Sequence, residues 1–246
     1  EIMQATKVAV GDLMPMFYDN AGCKKVSMVP VTNCTGMVEP VVTIQNEGAS
    51  SLSSLEINYQ VNDEDMNVFS WTGDLGYGET EMVTLPAVSF DLVDENDLLI
   101  YSTNPNGNPD EDPDNDTTGT SFVPAIEAIP DVYMFLKLDG NPEETSWELK
   151  NSNGDVLYSG GNYVQAQQFV KDTFELSTQD CYTFFLYDEG GDGLTGGGYY
   201  ALRQNNMSLI HENFDFEGSE ELVQFSTIMV SVEEQKLADS FTVFPN

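Results

Sequence analysis

Residues 55–61, Leu-Glu-Ile-Asn-Tyr-Gln-Val, decide the fold class because apolar and polar side chains alternate along them. A period of two places the apolar residues on one face of an extended strand and the polar ones on the other. Similar runs recur along the chain, at residues 38–45, 81–85, 97–102, 132–138, 146–150, 181–187, 198–203, 207–211 and 221–232. Glycine, asparagine and proline turns separate them, and helical patterns are nearly absent. The sequence therefore predicts an all-β chain of two tandem β-sandwiches.

The charge balance limits the classes of partner. The chain has 246 residues, and 8 Lys and Arg against 42 Asp and Glu give a formal net charge of −34. This balance argues against nucleic acid and against anionic membrane surfaces, where basic side chains must neutralise phosphates. No apolar run approaches the roughly 18 residues of a membrane span, so direct membrane insertion is not expected. An acidic surface of this kind suits divalent cations and salty surroundings.

Composition shifts predict the domain organisation. Residues 104–116 hold three prolines and five acids, and we expect them to form a solvated loop. The predicted domains are residues 1–124, a sandwich with an N-terminal extension, and residues 125–232, a second sandwich. Residues 233–246 are predicted to be a linker and the start of a further domain. Because residues 1–4 lack the basic start of a secretion signal, we expect the chain to be an internal piece of a longer protein.

The first predicted sandwich resembles a known family in four segments. They are Pro-Val-Val-Thr-Ile-Gln-Asn-Glu-Gly at 40–48, Trp-Thr-Gly-Asp-Leu at 71–75, Val-Thr-Leu-Pro at 83–86 and Asn-Pro-Asn-Gly at 104–107, the last followed by Asp110, Pro113 and Asn115. Together they resemble a CARDB-type module over about residues 36–120. That family implies an immunoglobulin-like or fibronectin-like sandwich of bacterial cell-surface proteins.

The second predicted sandwich resembles another kind of module. Its segments are Pro-Glu-Glu-Thr-Ser-Trp-Glu-Leu at 142–149, Cys-Tyr-Thr-Phe at 181–184, Asp-Glu-Gly-Gly-Asp-Gly at 188–193 and Gly-Tyr-Tyr at 198–200. In this order they resemble a β-sandwich module, jelly-roll or CUB-like, that recurs beside the sorting domain of type IX-secreted bacterial surface proteins. Residues 241–246, Phe-Thr-Val-Phe-Pro-Asn, resemble the opening strand of that sorting domain. The resemblance implies the type IX secretion machinery as a partner and a secreted or outer-membrane cell-surface location.

Three cysteines raise the question of a disulfide. Cys23 and Cys34 flank a short segment, and a bridge between them would contribute roughly 2–3 kcal/mol by the chain-entropy model. Two unpaired buried thiols are the alternative. Modules similar to the second sandwich often carry a cysteine just after Gly-Asp-Gly, where this chain has Leu194 and Thr195. We therefore expect Cys181 to lack its usual partner and to pack in the core.

Catalytic patterns are weak. His211 is the one histidine, and neither a Gly-x-Ser-x-Gly elbow nor a His-Glu-x-x-His motif is present. A carboxylate pair for glycoside hydrolysis cannot be singled out among 42 acids. The prediction is that these residues are not an enzyme.

The sequence pattern for calcium binding is more specific than any pattern for catalysis. Ca²⁺ takes six to eight oxygen ligands, usually on a turn opened by glycine. Asp188 and Asp192 stand at the first and fifth places of such a loop, with Gly193 at the sixth. The loop is not an EF-hand, since Gly190 holds the third place and Tyr199 the twelfth, so further ligands must come from another turn. The predicted ligands are Asp188, Asp192, Glu144 and Asp139. The alternative is a glycine-rich hairpin whose acids are only solvated.

A second, weaker cation site is predicted in the acidic loop, at Asp110, Asp112 and Asp114, because like charges repel and a cation relieves that cost. A plain acidic loop is the alternative. Next to it, Asp116-Thr117-Thr118 fits an Asp-(Ser/Thr)-(hydrophobic or Thr) pattern that carries O-linked glycans in some bacteria, which makes Thr117 a candidate modification site.

The predicted function is a non-catalytic cell-surface stalk or adhesion region of a larger type IX-secreted protein, stabilised by Ca²⁺. Two alternatives stay open. One is a module that binds a polysaccharide or another surface protein, attached to an upstream secreted hydrolase, and the other is a subunit of a surface assembly. Trp71 and Trp147 could serve a carbohydrate site, but a buried core position in each sandwich is the favoured role.

Overall fold

The computed structural model describes residues 15–228, whose regular secondary structure is almost entirely β-strand. The first ten strands are β1 (Ala21–Ser27), β2 (Thr32–Asn33), β3 (Met37–Val38), β4 (Val41–Asn46), β5 (Leu52–Val61), β6 (Asn67–Leu75), β7 (Thr80–Thr84), β8 (Val88–Ser89), β9 (Asn96–Thr103) and β10 (Thr117–Pro124). The others are β11 (Glu127–Ala128), β12 (Asp131–Lys137), β13 (Thr145–Lys150), β14 (Val156–Gly160), β15 (Phe169–Glu175), β16 (Cys181–Asp188), β17 (Tyr199–Gln204), β18 (Leu209–Asn213) and β19 (Glu220–Thr227). Three single-turn 3-10 helices span Pro105–Gly107, Pro113–Asn115 and Pro142–Glu144. The all-β prediction is confirmed.

Two predictions fall on residues outside this description. They are the linker at 233–240 and the start of a sorting domain at 241–246, and residues 1–14 of the predicted N-terminal extension also lie outside the described residues. Among the described residues, no helix has the length and apolar character needed to cross a membrane.

The described chain divides into two compact units. Residues 15–26, 39–88 and 98–120 form the first unit, and residues 27–38, 89–97 and 121–228 form the second. The predicted boundary after residue 124 differs from this division, because residues 27–38 group with the second unit. There, the Val31 N–H donates to the Leu222 carbonyl at 2.8 Å. The Thr32 hydroxyl donates to the Gln224 carbonyl at 2.6 Å and accepts the Gln224 N–H at 3.0 Å.

The first unit contains two sheets. One has the strand order β1-β4-β7, and in the other the neighbours run β10-β9-β5-β6. The alternation at residues 55–61 lies in β5, where Leu55, Ile57 and Tyr59 are buried as predicted. Trp71 is also buried, and its indole N–H donates to Glu81 Oε1 at 3.1 Å. This tryptophan therefore has a core role.

The second unit is a sandwich of a five-stranded sheet, β11-β19-β16-β13-β14, and a four-stranded sheet, β15-β12-β17-β18. Apolar residues from both sheets form one core. Trp147 is 2% exposed, packs at 5.6 Å from the ring of Phe174, and donates its indole N–H to the Tyr163 hydroxyl at 2.8 Å. A buried tryptophan here agrees with the favoured interpretation of the sequence. Strand β13 pairs antiparallel with β16, and Thr145 lies directly opposite Asp188 at the end of this ladder.

The disulfide prediction was wrong. Cys34 is bonded to Cys181, 147 residues away, with a Cα–Cα distance of 6.3 Å, and Cys23 is free and buried. The reason is strand order: the Cys34 N–H donates to Gln224 Oε1 on β19 at 3.1 Å, and β19 is the neighbour of β16, which begins with Cys181. The expectation that Cys181 lacks a partner is wrong for the same reason. In the first unit, burial raises the pKa of Cys23 to about 11.

Candidate metal site

Strand β16 ends in a buried carboxylate. Asp188 is 3% exposed, and its Oδ2 accepts the backbone N–H groups of Asp192 at 3.1 Å and Gly193 at 3.0 Å. Gly193 has a positive φ of 72°, and a Cβ at this position would collide with the carbonyl of Phe216. Only glycine fits this turn without strain, and the turn brings two amide donors to Asp188.

The turn before β13 supplies a second carboxylate. The 3-10 helix Pro142–Glu144 ends at Glu144, whose carbonyl accepts the Glu189 N–H at 3.0 Å and so links the two turns. The Oε2 atom of Glu144 is buried and has no hydrogen-bond partner. A Cβ on Gly190 would collide with this carboxylate, so glycine leaves the space that the Glu144 side chain fills.

These turns bring three acids together. One carboxylate oxygen from each of Glu144, Asp188 and Asp192 lies within 4.8 Å of the others, the only such group of metal-ligating side chains between residues 15 and 228. Burial raises the pKa of Glu144, a hydrogen bond with Asn141 lowers it, and the charges of Asp188, Asp192 and Glu143 raise it, with a net upward shift. Three converging carboxylates repel each other, and a hard divalent cation would remove that cost.

Asp139, the fourth predicted ligand, has a different role. It is 3% exposed, and its Oδ1 accepts the N–H of Asn141 at 2.9 Å. It does not belong to the group of three converging carboxylates. Its carboxylate instead holds the turn that leads to Glu144.

The acidic loop of the first unit is organised by hydrogen bonds to the backbone. Asp110 accepts the N–H of Ala21 at 3.0 Å through Oδ2 and the N–H of Asp112 at 2.8 Å through Oδ1. Glu111 Oε2 accepts the N–H of Asp19 at 3.1 Å. The structure does not bring Asp110, Asp112 and Asp114 into a group of three converging carboxylates. Most acids of this loop already accept hydrogen bonds from the chain itself. These contacts do not depend on a bound cation.

Asp116 differs from the other acids of that loop in being buried. The Ser102 hydroxyl lies 3.5 Å from its Oδ1. Burial raises the pKa of Asp116 to about 7, with the charges of Asp110 and Asp112 raising it further and Ser102 and Lys24 opposing. The next residue, Thr117, is exposed at the start of β10, so its hydroxyl is accessible as a modification site requires.

The single histidine takes part in a partly buried polar network that the sequence did not reveal. His211 Nε2 lies 2.9 Å from Glu221 Oε1, the Tyr200 hydroxyl donates to the same oxygen, and Asn213 Nδ2 donates to Glu221 Oε2 at 2.6 Å. Burial alone would raise the pKa of Glu221, but the hydrogen bonds from His211 and Tyr200 lower it overall. Nothing in the spacing of these residues predicts the network, because it joins three strands of two sheets.

An open polar pocket of about 730 Å³ lies beside the three acids. Its lining includes Glu144, Thr145 and Asp188 together with Ser146, Ser159 and Asn162. Thr145 is 1% exposed, and its Oγ1 is buried without a hydrogen-bond partner. The pocket wall and the acid cluster therefore share residues.

Fold and site together define the class: an all-β protein with a candidate cation site at the end of one strand ladder. The sequence matches no protein-family model and no curated protein. Among solved structures, it is similar to the solution structure of a CARDB domain from Pyrococcus furiosus, at 15% identity and a TM-score of 0.35, over 44% of this chain and 96% of that one. A crystal structure of the same CARDB domain in complex with di-metal ions matches at 14% identity and a TM-score of 0.36, over 48% of this chain and 98% of that one.

Proposed function

We propose that these residues are a non-catalytic stalk or adhesion region of a larger cell-surface protein, and that Ca²⁺ bound by Glu144, Asp188 and Asp192 stabilises the second unit. The proposal of a metal site rests on one cluster, in which three carboxylates converge and an oxygen of Glu144 is buried without any donor. A buried carboxylate oxygen without a partner is unfavourable, and a bound cation would provide that partner.

The donor set favours calcium over zinc and copper. All three side chains offer hard carboxylate oxygens, with neither imidazole nor thiolate among them. Zinc and copper prefer nitrogen and sulfur ligands, whereas calcium takes oxygen ligands from loops of irregular geometry. Extracellular calcium modules commonly bind with dissociation constants of roughly 10⁻⁴–10⁻³ M, which suits a protein outside the cell.

Three features support a location at the cell surface. Residues 132–229 and 241–246 resemble parts of type IX-secreted proteins, which would make the type IX secretion machinery a partner. The Cys34–Cys181 disulfide fits an oxidising compartment outside the cytoplasm. The net charge of −34 keeps such modules soluble and apart in salty surroundings.

A structural role agrees with the surroundings of the single histidine. Its Nε2 lies 2.9 Å from the Glu221 carboxylate, within a network that also includes Tyr200 and Asn213. The imidazole therefore serves to satisfy a half-buried acid. No nucleophile or general-base role is assigned to it.

Thermal unfolding with and without calcium tests the proposal. In about 10 mM CaCl₂, calcium stands at about 100 times a dissociation constant of roughly 10⁻⁴ M, and the second unit then gains about 2.7 kcal/mol. For a unit of this size, that gain corresponds to a rise in melting temperature of roughly 5–10 °C. The double variant Asp188→Asn with Asp192→Asn should lose the gain. An unchanged melting temperature for the wild type between EDTA and CaCl₂ would exclude the metal site.

The polar pocket favours a second candidate, a module that binds a polysaccharide or a surface protein. Its volume of about 730 Å³ and its hydroxyl and amide lining suit a small polar ligand. A glycan array in CaCl₂ and in EDTA separates the two functions, because a passive stalk binds no glycan under either condition.

A further inference from the structure

Thr145 combines two features that are rarely found together. Its side chain is 1% exposed, and its hydroxyl oxygen has no hydrogen-bond partner. Buried hydroxyl groups nearly always have a donor or acceptor, because removal from water is otherwise not compensated. A valine would fill the same space in a strand without that cost. The described residues therefore do not supply the hydrogen-bond partner that a buried hydroxyl normally has.

The register of the sheet places this hydroxyl next to the acid cluster. Thr145 lies directly opposite Asp188 in the β13–β16 ladder. Directly opposed residues project their side chains on the same face of a sheet, with Cβ atoms about 4.5–5.5 Å apart. Thr145 also follows Glu144 in the chain, and both residues line the polar pocket with Asp188. Two oxygens without partners, Glu144 Oε2 and Thr145 Oγ1, thus flank the buried carboxylate.

We infer that Thr145 Oγ1 is a fourth ligand of the calcium ion held by Glu144, Asp188 and Asp192; the inference rests on the proposed function. Calcium uses six to eight oxygens, so three side chains leave positions to fill. Three carboxylates already exceed the two positive charges of the ion, and a further acid would add repulsion. A neutral hydroxyl adds an oxygen without adding charge, and its proton stays free to donate to a carboxylate or to water.

The isosteric variant Thr145→Val should leave the calcium-free protein at least as stable as the wild type and should weaken calcium binding. Without calcium, in EDTA, the variant should unfold at the wild-type temperature or above it, because the substitution removes an oxygen that lacks a partner. With calcium, its dissociation constant measured by calorimetric titration of CaCl₂ should rise about tenfold, the scale on which metal sites respond to a lost supporting group. Thr145→Ser keeps the hydroxyl and should bind within about twofold of wild type.

Each outcome of this experiment decides a different question. A wild type that binds no calcium overturns the proposed function and, with it, this inference. A wild type that binds calcium, together with a Thr145→Val variant of unchanged affinity, overturns the fourth ligand and leaves the three-carboxylate site in place. If Thr145→Val does not fold, Thr145→Ala provides the same comparison, with circular dichroism to confirm its fold and Thr145→Ser as its control.

Discussion

Two acid-rich regions of this chain look alike in sequence and differ in structure. In the first unit, Asp110 accepts two backbone N–H groups and Glu111 accepts another. In the second, Asp188 accepts two, but Glu144 keeps a buried oxygen without any donor. The first region also has a buried oxygen without a partner, Asn115 Oδ1, so what distinguishes the second region is that three of its carboxylates converge.

The two units also differ in the state of their cysteines. The free thiol, Cys23, lies in the first unit, and the bridged pair lies in the second. The second unit therefore has a covalent cross-link, and the proposed calcium site would add a second link between its turns. The first unit relies on its hydrogen bonds and its core.

The largest expected effect comes from removing the disulfide. Cys34→Ser with Cys181→Ser should lower the free energy of unfolding of the second unit by roughly 3–5 kcal/mol, because the bridge closes a very long loop. Chemical denaturation of wild type and variant measures this loss. Unfolded wild type should show one free thiol per chain without reductant, and peptide mapping should link Cys34 to Cys181. A peptide that links Cys23 to Cys34 would contradict the strand order described above.

The second-largest expected effect concerns Asp116, the buried acid in the acidic loop of the first unit. Its pKa is raised from 3.8 to about 7, so the folded state holds a proton that the unfolded state has released. The contribution of Asp116 to stability should therefore be greatest below about pH 4 and should be lost as the pH rises through about 7. Asp116→Asn mimics the protonated form and should remove this part of the pH dependence. Calorimetry in EDTA from pH 4 to 8 measures the difference between the two proteins, and a constant difference would rule out the buried acid as its source.

The smallest expected effect compares two adjacent glutamates. Glu144 belongs to the acid cluster, whereas its neighbour Glu143 is exposed. The raised pKa of Glu144 means that, without calcium, stability falls as the pH rises through its titration. Glu144→Gln should therefore raise the melting temperature slightly in EDTA at pH 8 and reduce the gain in CaCl₂. Glu143→Gln removes the same charge but should change both values less, because Glu143 contributes the smallest of the repulsions that raise the pKa of Glu144; equal responses from both variants would mean that only net charge matters.

Local patterns predicted the strands well and the long-range contacts poorly. The alternation at residues 55–61 falls within β5, and the run at 132–138 corresponds to β12, Asp131–Lys137. The spacing of Asp188 and Asp192 predicted their proximity because both belong to one turn. Glu144 was identified only as a candidate from a second turn. Asp139, chosen from the same turn, lies outside the group of three converging carboxylates and accepts the Asn141 N–H.

Other features depend on which strands become neighbours. Cys34 meets Cys181 because residues 31–34 hydrogen-bond to β19, the neighbour of β16, and no local pattern indicates this contact. The position of the Thr145 hydroxyl, which has no hydrogen-bond partner, opposite Asp188 is set by the register of the whole β13–β16 ladder. The Glu221 network joins side chains from three strands for the same reason.

Calorimetric titration of CaCl₂ into the intact chain tests the central claim most directly. We expect one calcium ion per chain, bound by the cluster of Glu144, Asp188 and Asp192. Binding should disappear in Asp188→Asn with Asp192→Asn and persist in the matched variant Asp110→Asn with Asp112→Asn. No measurable binding to the wild type, or binding that disappears with the Asp110 and Asp112 pair instead, would contradict the account.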